Sequence, residues 1–196
     1  MLEKLNLKKN LKTEQFGDLI NGQGLGYVAQ MRYGLFPMSF NGCEMIAIHN
    51  LLLLEGRKGN TLSGICNEMY KTSCVFAGLL GSNVYVLEKY FTRHGMPVLK
   101  TLSRDKFFEI LEHSKYGIIS FWNADNPFKG VHTVCVERIE DGYRIYNRSN
   151  RRGEPAEYST VDEVVSERRF MAGYCLDQPV HTMRPTEKNN RAENNC

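Results

Sequence analysis

The sequence predicts an α+β domain, and three observations carry that prediction. Helical patterns fill the first half of the chain and strand patterns the second. An Asp141-Gly142 pair sits between two alternating runs, the signal of an antiparallel hairpin. The stretch Met45–Leu54 is apolar on nearly every side, which suits a helix buried in the middle of a domain. The 196 residues are 42% hydrophobic with a formal net charge of +3, enough apolar material for one core and too little charge for disorder. The expected organisation is a single domain over residues 1–177 and a mobile tail over 178–196, where apolar content fades.

The first forty residues read as irregular, punctuated by Gly17, Gly22, Gly24, Gly26 and Gly34. The Gly22-x-Gly24-x-Gly26 spacing is a weak echo of a phosphate loop, without the Lys-Ser/Thr that such a loop needs. Asn41-Gly42-Cys43-Glu44 then has the form of a capping box, with Asn41 as cap and Glu44 three positions on. Further helices are expected over Thr61 to about Cys74, from Ser82-Asn83 to Gly95, and from Ser103 to Gly117, with a short one over Val161–Val165. Strands are expected over 97–100, 117–122, 131–139, 143–148 and 169–176, with a loop at Asn123–Pro127.

Basic residues are dispersed, so composition gives no nucleic-acid footprint. No apolar run approaches the roughly 20 residues of a membrane span. The start lacks the form of a secretory signal, so the expectation is a cytoplasmic protein with neither membrane nor nucleic-acid partner. Six cysteines without CxxC pairs or zinc spacing are then expected to be reduced thiols, with no metal and no cofactor. The composition leaves the oligomeric state open.

Cys43 is the residue most suited to chemistry. It opens a buried helix directly after a glycine, where free N–H groups and the helix dipole favour a thiolate. Its own N–H is a candidate oxyanion donor. Of the five histidines, His49 lies further along the same helix, His94 and His113 lie near helix ends, and His181 lies in the tail. His132 stands out: at the start of a strand, in line with Val134 and Val136, it opens onto whatever the sheet packs against. A third residue to orient the imidazole is expected at Asn147 or Asn150. Asp141-Gly142 as a two-residue loop sets Asn147 four residues short of the position opposite His132. Arg148, Arg151 and Arg152 form a small basic cluster beside it.

In order and spacing, "FNGCEMIAIHNLLLLEG", "YFTRHGMPV", "KGVHTVCVERIEDG" and "YRIYNRSN" resemble the papain-like cysteine peptidases, most closely the peptidase C39-like group. The likeness covers roughly residues 36–150. It implies a papain-like two-part fold, a helical lobe whose Cys-bearing central helix packs on an antiparallel sheet. It makes Cys43 the nucleophile, His132 the general base and Asn147 its orienting partner. The family commonly has Gly after the cysteine and Gln about six residues before it, where this chain has Glu44 and Pro37. Gln30 and Asn41 are the amides left as oxyanion candidates. The implied activity is a cysteine peptidase or amidase acting on a peptide or small amide or thioester substrate. Two alternatives stay open: an acyltransferase passing the acyl group to an amine, and a catalytically inactive binding domain, which Glu44 beside the thiol favours.

Overall fold

The computed structural model describes residues 1–177 apart from 16, 58, 80, 124–129 and 167. Helix α1 (Leu2–Thr13) opens the chain, and the two-residue strands β1 (Arg32–Tyr33) and β2 (Phe36–Pro37) pair with each other. Helices α2 (Met38–Asn41), α3 (Cys43–Leu54), α4 (Leu62–Thr72) and α5 (Leu87–Arg93) follow. Strand β3 (Val98–Thr101) and helix α6 (Arg104–Ser114) lead to β4 (Tyr116–Trp122) and β5 (Val131–Ile139). Strands β6 (Gly142–Tyr146) and β7 (Ala156–Tyr158), helix α7 (Val161–Val165) and strand β8 (Phe170–Leu176) complete the described chain.

The long strands form one antiparallel six-stranded sheet in the order β3-β8-β4-β5-β6-β7. Both faces are covered. Met45, Ile46, Ile48 and Leu51 of α3 share a core with Ile118, Cys135, Tyr146 and Tyr174 of the sheet. On the other face, Phe107, Phe108 and Leu111 of α6 and Val164 and Val165 of α7 pack on Ile119, Phe121, Val134, Val136 and Ile145. The α+β expectation therefore holds, with α3 buried as its composition requires: residues 44–52 are all buried. Among the described residues no helix is long and apolar enough to cross a membrane. The expected tail over 178–196 and most of the expected loop at Asn123–Pro127 lie outside the described residues.

Helix α1 corrects the irregular reading of the N-terminus. Its inward residues are Asn6 and Asn10, not aliphatics. Asn6 Nδ2 donates to the Gly34 carbonyl at 2.8 Å; Asn10 donates to the Arg32 carbonyl and accepts from the Arg32 N–H, both at 2.8 Å. Polar anchoring of this kind leaves no hydrophobic period to read. Just beyond the helix, the Glu14 carboxylate accepts the N–H groups of Leu62 and Ser63, free donors at the start of α4.

The β5–β6 hairpin corrects the expected register. Ile139 pairs with Gly142 and Cys135 with Tyr146, so the loop is Glu140-Asp141, one position earlier than expected. The ladder ends at Cys135–Tyr146, and residues 131–133 have a strand partner in β4 but none in β6.

Candidate functional site

Cys43 is delivered by a tight turn. The Gly42 N–H donates to the Met38 carbonyl at 2.7 Å, and a Cβ on Gly42 would stand 2.5 Å from that oxygen, so only glycine fits. Gly42, not Asn41, is the N-cap of α3, and no side chain caps it. The expected capping box is absent because both its members are used elsewhere: Asn41 Nδ2 donates to the Gly78 carbonyl at 2.7 Å, and Glu44 points into the core.

The Cys43 sulfur lies 4.0 Å from the Val131 carbonyl oxygen, and the N–H and hydroxyl of Thr133 also face it. It therefore packs against the peptide units on both sides of His132, where β6 has left the sheet. Burial pushes the thiol up to about 11; the Thr133 N–H opposes this, and the Glu44 carboxylate adds to it. The Glu44 N–H at the helix terminus pulls the thiol down as expected, but desolvation is the larger effect.

His132 leaves β5 on the other face. Its cross-strand neighbour is Phe121, and the two rings meet edge to face at 6.0 Å, in the core under α6 and α7. Thr133, by contrast, meets Ser120 by a 2.9 Å hydroxyl contact and Cys135 joins the core of α3. The alternation read from the sequence is right, but the face that carries His132 and the valines packs under α6 and α7, and the Thr133–Cys135 face is the one turned to α3. Both faces of β5 are apolar, so buried valines beside His132 could not say which face α3 covers.

The imidazole is neutral at pH 7: burial lowers it to about 4, the Asn147 carbonyl works against that, and Arg148 and Arg168 lower it further. Nε2 lies 2.7 Å from that carbonyl oxygen. A carbonyl only accepts, so Nε2 carries the proton and Nδ1 the lone pair. No hydrogen bond joins His132 to Cys43.

Asn147 thus reaches His132, through its main chain. It is fully buried with φ +59°, a left-handed conformation that Asn tolerates and that turns the chain out of β6. Its N–H donates to Asn21 Oδ1 at 2.8 Å. Its side-chain amide is taken up by Gln23: the Gln23 N–H donates to Oδ1, and Nδ2 donates to Gln23 Oε1, both at 3.0 Å. Gln23 Nε2 in turn donates to the Ser39 carbonyl in α2 at 3.0 Å. One buried amide thereby ties the turn after β6 to the segment that presents Cys43. Asn150 is exposed; its Nδ2 also donates to the Ser39 carbonyl and its carbonyl accepts the Gly24 N–H. The glycines around Gln23 allow these two loops to touch, since a Cβ on Gly24 would stand 2.8 Å from the Asn150 oxygen.

Neither expected oxyanion amide makes a hydrogen bond to the Cys43 sulfur. Gln30 is exposed at the end of the 3-10 turn Val28–Gln30, and Asn41 is spent on Gly78. The residues missed from sequence are Asn21, Gln23 and Thr133. The one available signal was an amide set between two glycines, a place where solubility does not call for it.

Glu44 is the other unusual group. Ser73 Oγ donates to Oε2 at 3.4 Å, while Oε1 is buried without a partner. Burial pushes its carboxyl up to about 8, with Ser82 and Ser73 opposing. His49 is also buried, its Nε2 3.3 Å from the Asp18 carbonyl and its imidazole lowered by burial. Among the described residues no group of three or more His, Cys, Asp or Glu side chains could hold a metal, and Cys43, Cys66, Cys74, Cys135 and Cys175 are free.

No protein-family model matches this chain, and no curated protein matches it.

Proposed function

We propose that the chain is a cysteine-dependent acyl-transfer domain of papain-like, C39-like form, with Cys43 as nucleophile and His132 as general base, the pair being uncoupled at rest. The observation that supports this most is the placement of the Cys43 sulfur on the two peptide units that flank His132, while Asn147 leaves the lone pair of that imidazole on Nδ1.

The thiol stands near 11 and the imidazole near 4, so a resting thiolate–imidazolium pair is disfavoured and both groups are neutral. Reaction requires the ring to swing past the open edge of β5, and the loss of its bond to Asn147 alone costs about 1–3 kcal/mol. The S–H proton then passes to Nδ1 as sulfur attacks the carbonyl carbon of an amide or thioester. The Cys43 N–H is the proposed donor to the developing oxyanion. Collapse expels the amine or thiol, which takes the proton from His132 and leaves an acyl-thioester on Cys43. Water resolves it in a peptidase or amidase, and an amine resolves it in an acyltransferase.

A second reading, a non-catalytic binding domain, is favoured by the departure of His132 onto the far face. One experiment separates the two: incubation with p-nitrophenyl acetate, acid quench and peptide mapping. Acyl transfer predicts acetylation of Cys43, loss of that signal in C43A, and a rate about a hundredfold lower in H132A. Equal acetylation of Cys43 in the wild type and H132A refutes the catalytic reading.

A further inference from the structure

Two arginines share one ring beside His132. The guanidinium carbon of Arg148 lies 4.9 Å from the centroid of Phe121, and that of Arg168 lies 5.2 Å from it. Arg148 is anchored: Nε donates to the Tyr158 hydroxyl at 3.1 Å and Nη2 to the Val164 carbonyl at 3.0 Å. Its Nη1 is buried with no partner. Arg168 is half-buried, and its side chain makes neither a hydrogen bond nor an ion pair among the described residues.

This is an expensive arrangement. Like charges are gathered over an apolar ring, and no described carboxylate lies within ion-pair distance of either. Elsewhere the same protein pairs its arginines: Arg144 meets Glu137 and Glu157, and Arg104 meets Asp105 and Asp162. Burial and Arg148 together lower Arg168 below the usual guanidinium range, with Tyr158 opposing. The missing element is an acceptor with a full negative charge. An anchored fork with a spare Nη1, faced by a second fork free to swing, suits two-point recognition of a planar or tetrahedral oxyanion.

We propose that Arg148 and Arg168 form an oxyanion-binding subsite beside His132, built for the carboxylate or phosphate group of the molecule the domain acts on. Anion binding stands on this geometry alone; only its assignment to the substrate rests on the acyl-transfer reading. Arg168, held by stacking, moves to admit the ligand to Nη1 of Arg148. The bound anion offsets the two charges that now bear on His132, so the imidazole becomes easier to protonate when the subsite fills.

The test needs no catalysis, so its failure is distinct from failure of the acyl-transfer reading. The His132 imidazole is followed by NMR while inorganic phosphate or acetate is added, against sodium chloride at matched ionic strength. A saturable shift with either anion, the His132 midpoint moving upward, is the expected result. R168M, which keeps the packing on Phe121, weakens binding by about tenfold or more, and R168K, which keeps charge but not the fork, falls between. Tighter acetate binding assigns a carboxylate ligand; tighter phosphate binding assigns a phosphate. A response no different from sodium chloride, or equal binding by wild type and both variants, overturns the proposal.

Discussion

Removing the Asn147 side chain tests the corner where the candidate site is assembled. In Asn147→Gly the main chain is unchanged: glycine accepts φ +59° without strain, and the bonds to Asn21 and His132 are made by backbone atoms. What is lost is the reciprocal amide pair with Gln23, which leaves the Gln23 N–H and Oε1 without partners in the interior. Each buried unsatisfied group costs about 1–3 kcal/mol, so N147G, which leaves two, should lose about 2–6 kcal/mol. Asn147→Ala should lose about 1–2 kcal/mol more, the penalty of a Cβ in the left-handed region. Urea unfolding at neutral pH, with the m-value checked for constancy, reads both numbers. The same variants separate the two ways in which Asn147 could orient the imidazole. If the carbonyl does it, N147G acetylates Cys43 within about tenfold of wild type, whereas H132A falls about a hundredfold. A stability loss in N147G below about 0.5 kcal/mol refutes the amide-pair argument, and N147A proving the more stable of the two refutes the left-handed penalty.

Glu44 gives a prediction in pH. Its carboxyl is raised from 4.5 to about 8 in the folded protein, so between these values the native state holds a proton that the unfolded chain has released. Stability therefore falls as pH rises through that window, by up to about 1 kcal/mol per unit from this group. In E44Q this component vanishes, and the gap between variant and wild type in urea midpoint widens from pH 5 to pH 8; a constant gap contradicts the buried-acid assignment. Gly42→Ala should lower the unfolding free energy by about 2 kcal/mol or more, because the new methyl collides with the Met38 carbonyl. Thermal unfolding within a degree or two of wild type contradicts that packing.

Legibility followed the physical signal each element carries. Helix α3 was plain because a run from Met45 to Leu54 has no exposed side to hide. Strands β5 and β6 were plain because alternation and a turn pair coincide, yet the turn slipped by one residue, since Glu140-Asp141 serves as well as Asp141-Gly142. Helix α1 was invisible because Asn6 and Asn10 hold it by hydrogen bonds to carbonyls. At the site, the Cys43 sulfur meets the peptide units on either side of His132 while the imidazole leaves on the opposite face, and the Asn147 main chain lies beside that ring despite the register problem. The face taken by His132 was beyond reach, because helices cover both sides of the sheet and each side selects the same apolar residues. The carbonyl of Asn147 was also beyond reach. A main-chain acceptor has no residue identity, and the side chain that drew attention is spent on Gln23.

In the proposed resting state, sulfur and imidazole are both neutral and unjoined. The rate of Cys43 alkylation by iodoacetamide as a function of pH, read by peptide mapping in wild type and H132A, measures this directly. The expected rate climbs only in the alkaline range, toward a midpoint near 11, with no plateau near neutrality. A plateau already reached near or below pH 7 in the wild type, abolished in H132A, contradicts that resting state and means that the two groups form an ion pair at rest.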